Sequence, residues 1–170
     1  MSERAQLLDV RETLTPADHQ THRRYLFDVP LDCEALEIHI RYAPKYVSEN
    51  TSQELANAAL KNQAAALASR VGAPLAAEWA TNLTQRAERV RISNLLTMSL
   101  DDAMGAYRGA GHRQSDDQLL RLGPESAAPG LVPGPIPPGS WALTLSAHTL
   151  VSPQIEVSIQ IGAETASSRP

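Results

Sequence analysis

The stretch PGLVPGPIPPGSWALTL, residues 129–145, decides the fold of this chain. Its first ten residues hold five of the chain's twelve prolines, namely Pro129, Pro133, Pro135, Pro137 and Pro138. Proline cannot donate a backbone hydrogen bond to a sheet, so the run cannot be a central strand. It leads directly into Trp141, after which apolar residues alternate along the chain in the way that is typical of a strand.

Prolines separated by glycines favour an extended backbone with fixed bends. Such a segment can cross the end of a β-sandwich and deliver the next strand to the opposite sheet, and its pre-set angles reduce the entropy lost on ordering. The run therefore predicts a crossing, with Trp141 as the first inward residue of the next strand and a structural anchor. The alternative is a mobile linker, although a linker need not end on a tryptophan-containing strand.

Alternating patterns recur on both sides of the proline run. Residues 24–30, 35–44, 96–101 and 141–161 alternate apolar and polar side chains, and LLDV at 7–10 and QLLRLG at 118–123 are shorter candidate strands. A two-residue period is typical of a sheet with one buried and one wet face. We therefore predict a mainly β fold, an antiparallel β-sandwich of jelly-roll-like topology.

Residues 49–91 interrupt the strands and are rich in Ala, Gln and Leu. Thr51 and Glu54 have capping-box spacing, Gly72 is a plausible helix end and Pro74 suits a first helical turn. Apolar residues then recur at helical spacing: Leu60, Leu67 and Val71, followed by Leu75, Trp79, Leu83, Ala87 and Val90. The pattern predicts a helical hairpin inserted between two strands, able to pack on the sandwich or to present a stripe to a partner.

Length and charge exclude several classes of function. The chain has 170 residues and a net charge of −4, without a basic block. We expect one domain, 1–170, with a frayed tail over 163–170 and no nucleic-acid partner. No apolar run approaches membrane-spanning length and no export signal is visible, so no membrane partner is expected. Cys33 is the only cysteine, which favours a cytoplasmic location.

Two segments resemble a known domain. NLLTMSLDDAMGAYRGAGHR (94–113) and AAPGLVPGPIPPGSWALTLSAH (127–148), together with an opening strand in TPADHQTHRRYLFDVP (15–30), are similar to the N-terminal β-sandwich of PHP-type, CehA/McbA-like metallohydrolases. The resemblance covers about residues 14–47 and 92–161. It implies a non-catalytic accessory or interaction module that acts with a separately encoded hydrolase or by self-association. The hydrolase domain, with its metal-binding His-x-His motif, has no counterpart here, so no catalytic residue is carried over.

The polar segment 101–117 is the main candidate ligand site. It contains Asp101, Asp102, Arg108, His112 and Arg113, followed by two further aspartates. Arginine forks and an imidazole can bind a carboxylate or phosphate, and aspartates can bind calcium as in some carbohydrate-binding sandwiches. The alternative function is therefore a small-molecule or carbohydrate-binding module. The competing interpretation is a solvated loop whose arginines pair with its own aspartates.

Catalysis is the least favoured class. A catalytic zinc site needs three protein ligands, and the five histidines are scattered, with His39 and His148 on wet strand faces. Cys33 has no neighbouring base in sequence, and no nucleophile elbow, P-loop or dinucleotide fingerprint occurs. We expect no catalytic residue, no metal and no cofactor.

Overall fold

The computed structural model describes residues 3–87, 91–111 and 115–165. Ten helices and strands follow one another in these residues: β1 (Glu3–Leu14), β2 (Thr21–Val29), β3 (Cys33–Ala43), α1 (Glu49–Val71), α2 (Ala73–Ala87), β4 (Leu95–Asp101), β5 (Tyr107–Ala110), β6 (Asp117–Leu122), β7 (Gly139–Thr149) and β8 (Ile155–Thr165). A single 3-10 turn, Pro16–Asp18, joins β1 to β2. No helix in this part of the chain is both long and apolar enough to cross a membrane.

The strands form two four-stranded sheets. Sheet A has the order β1-β8-β3-β6 and sheet B the order β2-β7-β4-β5, and neighbouring strands are antiparallel. The first strand therefore pairs with the last, the second with the seventh, the third with the sixth and the fourth with the fifth. This nested pairing is that of a jelly roll, and the predicted sandwich is confirmed.

The core lies between the sheets because each strand alternates in burial. In β4 the buried side chains are Leu96, Met98 and Leu100, and β3, β7 and β8 alternate in the same way. Aliphatic residues supply nearly all of this core, with Phe27, Tyr42 and Trp141 as its aromatic members.

Three strand boundaries differ from the sequence-based prediction. β1 has twelve residues, whereas only LLDV was predicted. The rest of the strand was missed because its inward positions include the charged Glu12, which makes the apolar pattern incomplete. The four-residue β5 lies inside the segment predicted to be a loop. The predicted tail was wrong in part, because β8 continues to Thr165 and Ala163 is buried; residues 166–170 lie outside the described residues.

The helical hairpin belongs to a separate compact unit, residues 46–93, while residues 1–45 and 94–170 form the other. Ser48, and not Thr51, caps α1, since its Oγ accepts a hydrogen bond of 3.1 Å from the Thr51 amide. The predicted capping box was therefore wrong by one turn. Gly72 ends α1 with φ +91°, a backbone angle that glycine adopts readily, and Pro74 lies in the first turn of α2 as predicted.

The apolar stripes of the hairpin are only partly covered. Leu60, Leu67 and Trp79 are half-buried, whereas Val71 and Leu75 are exposed. Val90, and the side chains of Leu83 and Ala87, lie outside the described residues. A short stem closes the unit, with a bridge between Tyr46 and Ser93 and a bond from the Val47 amide to the Ile92 carbonyl.

Candidate functional site: the β4–β5 hairpin and the proline crossing

The proline run joins β6 in sheet A to β7 in sheet B, as predicted. Its backbone is bonded to both sheets along the way. The Ala128 amide donates to the Arg121 carbonyl of β6 at 2.8 Å, and the Val132 amide donates to the Arg108 carbonyl of β5 at 2.9 Å. The segment, which we name the proline crossing (residues 123–138), is therefore fixed in place, and the alternative of a mobile linker is wrong.

Trp141 is the anchor of this crossing. Its side chain is fully buried, and its indole Nε1 donates a hydrogen bond of 2.8 Å to the Pro137 carbonyl. The Phe27 ring lies 6.4 Å away between centroids. A buried indole needs a partner for its N–H, and the prolines supply it because a proline carbonyl remains free to accept.

Arg108 packs beneath the crossing instead of facing a ligand. Its guanidinium, with a side chain only 7% exposed, donates to the carbonyls of Val132, Gly134 and Pro135. It also forms an ion pair of 3.4 Å with Asp102 and lies over the Trp141 ring. All three guanidinium nitrogens donate hydrogen bonds within the protein. Arg108, which was predicted to bind a ligand, therefore stabilises the fold.

The two predicted aspartates of the hairpin serve different partners. Asp102 Oδ1 accepts the amides of Met104 and Ala106 at 2.9 and 3.0 Å, which shapes the turn between β4 and β5. Asp101 lies on the outer face of sheet B, where it pairs with Arg24 at 3.3 Å. Successive strand residues point to opposite faces, so the two carboxylates do not converge on one site.

The segment 101–117 is not one loop, because β5 divides it into two. Asp116 and Asp117 lie at the far end of the sandwich, where they pair with Lys45 at 3.6 Å and Arg41 at 3.1 Å. His112 and Arg113 lie outside the described residues. The structure therefore brings Asp102 and Arg108 together and separates them from the second pair of aspartates.

The solvent-facing side chains of this hairpin are apolar. Met104 is 82% exposed and Tyr107 is 60% exposed. Other exposed apolar side chains come from strand ends and turns at the same end of the sandwich. We name this set the apolar end; its members are Leu26, Leu31, Met104, Tyr107 and Val132.

The described histidines are spread over the sandwich. His22 bonds Ser146 and His148 bonds Thr97, each at 2.8 Å, while His39 pairs with Asp117. Within the described residues no three His, Cys, Asp or Glu side chains are placed to hold a metal ion. Burial, followed by the nearby charge of Asp32, raises the pKa of the Cys33 thiol, which disfavours the reactive thiolate.

A depression on the outer face of sheet A combines charges of both signs. It lies around Ser158 and is lined by Arg11 and Arg41, with Asp116, Asp117 and Glu156 beside them. The ion pairs of Arg41 with Asp117 and of Lys45 with Asp116 neutralise most of these charges. Pairs of this exposed kind are typical of a solvated sheet face.

Asn94 is a buried polar residue that the sequence analysis did not identify. Its side chain donates to the Pro44 carbonyl and to Ser152 Oγ, both at 2.8 Å, and accepts from the Val151 and Ser152 amides. Its own amide donates to the Lys45 carbonyl at 2.8 Å. Asn94 thus joins β3, β4 and the β7–β8 turn, and no local motif announces it because all its partners are distant in sequence.

Comparison with models of known protein families gives no match. Comparison with curated proteins also gives no significant match. The jelly-roll sandwich therefore rests on the strand pairing itself, and the resemblance of residues 14–47 and 92–161 to a metallohydrolase N-terminal domain stays a prediction.

Proposed function

We propose that this chain is a non-catalytic accessory or protein-interaction module that uses the apolar end as its contact surface. The observation that carries the proposal is that the β4–β5 hairpin buries its polar side chains and exposes its apolar ones. Its buried polar groups, Asp102 and Arg108, are satisfied inside the protein, whereas Met104 and Tyr107 face solvent. Neighbouring exposed apolar side chains are typical of surfaces that bind other proteins, and Met104 and Tyr107 lie on the same short hairpin.

A rigid support strengthens the proposal. The hairpin is held by the ion pair between Arg108 and Asp102 and by the proline crossing, so little conformational entropy is lost when a partner binds Met104 and Tyr107. A separately encoded hydrolase and a second copy of the chain are the two partners that the sequence suggests. The single cysteine favours a cytoplasmic setting for this interaction.

The small-molecule alternative has less support. It depended on Asp101, Asp102 and Arg108 acting together, and these side chains already have partners within the fold. No observation within the described residues favours it over protein binding.

The test is affinity capture from the native host with three forms of the full chain: wild type, Met104→Ser/Tyr107→Ser and the control Leu119→Ser. Leu119 is 64% exposed on the outer face of sheet A, so its replacement removes exposed apolar surface away from the hairpin. We expect one partner to be captured near stoichiometrically by wild type and control, and to be lost with the double variant. Circular dichroism of all three forms checks folding.

The same partner must then bind purified chain in calorimetry, with the affinity reduced by the double variant alone. Equal capture by all three forms would contradict the proposal. Turnover of ester, phosphoester or carbamate substrates by the purified chain with added metal ions would contradict its non-catalytic part.

A further inference from the structure

The apolar end also carries a concentration of unpaired negative charge. Four exposed carboxylates lie on its turns and strand ends, and none forms an ion pair or hydrogen bond within the described residues: Asp28, Asp32, Glu34 and Glu125. Leu31 and Asp32 are neighbours in the β2–β3 turn, so an acidic group adjoins an exposed apolar side chain there.

The positive charges described at this end are already neutralised. Arg24 pairs with Asp101, Arg108 with Asp102 and Arg121 with Glu164, at 3.3, 3.4 and 2.7 Å respectively. The described side chains of this end therefore carry a net negative charge.

Cys33, which begins β3 at this end, lies close to some of these carboxylates. Besides burial, the charges of Asp32, Glu164 and Glu34 each raise the pKa of its thiol. Two of these three carboxylates, Asp32 and Glu34, belong to the unpaired set of this end.

We propose that the partner of the apolar end is a protein whose contact surface is apolar at its centre and rimmed by Lys and Arg. This inference rests on the proposed function and adds the chemistry of the partner. Complementary charge speeds encounter and selects partners, while Met104 and Tyr107 supply the apolar contact. The same field repels nucleic acids and anionic membranes, since both present negative charge.

A pair of synthetic amphipathic peptides tests the charge preference on the full chain. One peptide combines Leu with Lys, and the other has Glu in place of every Lys. We expect the Leu/Lys peptide to protect backbone amides of residues 26–34 and 103–108 from hydrogen exchange, and the Leu/Glu peptide to leave them unprotected. Protection by both peptides alike, or at other strands, would overturn the inference.

Matched variants identify the carboxylates responsible. Asp28→Asn/Asp32→Asn removes two charges from the apolar end, and Asp9→Asn/Glu54→Gln removes two exposed charges elsewhere. At low salt we expect the first variant to weaken binding of the Leu/Lys peptide by roughly 3–10-fold and the control by less than about twofold. Equal weakening by the two variants would contradict the proposal.

The native partner distinguishes this inference from the proposed function. Capture that depends on Met104 and Tyr107 and is weakened by Asp28→Asn/Asp32→Asn supports both. A second outcome is capture that depends on the apolar residues and yet is unaffected by the carboxylate variants and by added salt. That result would leave the proposed function intact and contradict the inference that the partner has a basic rim. Capture that is independent of Met104 and Tyr107 contradicts both.

Discussion

The two open sides of the sandwich are closed in different ways. On the side of β5 and β6, the proline crossing bonds its backbone to both edge strands, and buried Arg108 fastens it by three carbonyls. On the side of β1 and β2, a cluster of polar and charged side chains links the two edge strands. Arg23 of β2 pairs with Glu12 of β1 and, at 2.7 Å, with Asp18, while the Tyr25 hydroxyl donates to Glu12.

The proline crossing and the side-chain cluster both protect exposed edge strands. Exposed edge strands invite pairing with other chains, and proteins counter this by covering the edge or by pointing charges inward. The crossing covers one side with backbone, and Glu12 and Arg23 place charge between the sheets on the other. The difference teaches that the first side depends mainly on hydrogen bonds to backbone carbonyls, whereas the second depends mainly on ion pairs between partly exposed side chains.

The largest expected effect comes from Trp141→Ala, which removes the anchor of the crossing. Loss of a fully buried indole costs about 3–5 kcal/mol of unfolding free energy, because a cavity forms and the Pro137 carbonyl loses its donor. Urea titration measures the change. Circular dichroism follows the unfolding, because the variant lacks the Trp141 fluorophore. A loss below about 1 kcal/mol would mean that the crossing does not depend on its anchor.

A matched pair of arginine variants compares the two sides directly. Arg108→Met removes a buried guanidinium and leaves three carbonyls and the Asp102 carboxylate without their donor, so we expect a loss of about 3–5 kcal/mol. Arg23, with a side chain 36% exposed, forms a solvated cluster, and Arg23→Met should cost about 1 kcal/mol or less. Chemical denaturation at neutral pH gives both values. Similar losses for the two variants would remove the distinction between the sides.

Acid should loosen the β1–β2 side before the proline crossing. A hydrogen bond from the Thr15 backbone, followed by the Arg23 guanidinium, lowers the pKa of Asp18. A carboxyl whose folded pKa is lowered contributes stability above its unfolded pKa, near 3.8, and loses it as pH falls through the folded value. The hydrogen-exchange protection factors of β1 and β2, but not of β5, should therefore fall below about pH 4.

Asp18→Asn is the control for this acid effect. The variant should exchange faster in β1 and β2 already at neutral pH and show a weaker acid response. Parallel loss of protection in β1, β2 and β5 would indicate global unfolding and contradict a local effect.

The smallest expected effect concerns the helical unit. Replacement of residues 50–90 by a short Gly/Ser linker should change the stability of the sandwich by less than about 1 kcal/mol. The Asn94 amide already bonds the Lys45 carbonyl at 2.8 Å, so the two chain ends that the linker joins lie close together. Circular dichroism and urea titration measure the outcome. An unfolded product would show that the sandwich needs the helices in order to fold.

The strands that the sequence predicted are those with complete alternation. β3, β4, β7 and β8, and the second half of β2, place apolar residues at every second position, and the two-residue period of a strand turns that pattern into one buried face. β5 escaped prediction because it has four residues and includes Gly109, which adopts φ +106°. A Cβ at Gly109 would lie 2.2 Å from the Gly130 carbonyl oxygen, so the crossing itself demands glycine there.

The roles of the polar residues were not predictable in the same way. Arg108 and Asp102 resembled a ligand site in sequence, yet Arg108 binds carbonyls 24–27 residues further along the chain. Glu12 and Arg23 were not singled out, because an ion pair between two edge strands leaves no local pattern. Such partners become neighbours only when the sheets stack.

The sequence by itself determined the mainly β sandwich, the helical insertion, the crossing and the burial of Trp141. Each follows from local chemistry: side-chain alternation, helical spacing, and proline's missing amide hydrogen. Only the tertiary structure decided which charges are buried, which pair and which stay free. Long-range strand pairing brought Arg108 to the proline carbonyls and left Met104, Tyr107 and the unpaired carboxylates facing solvent at one end.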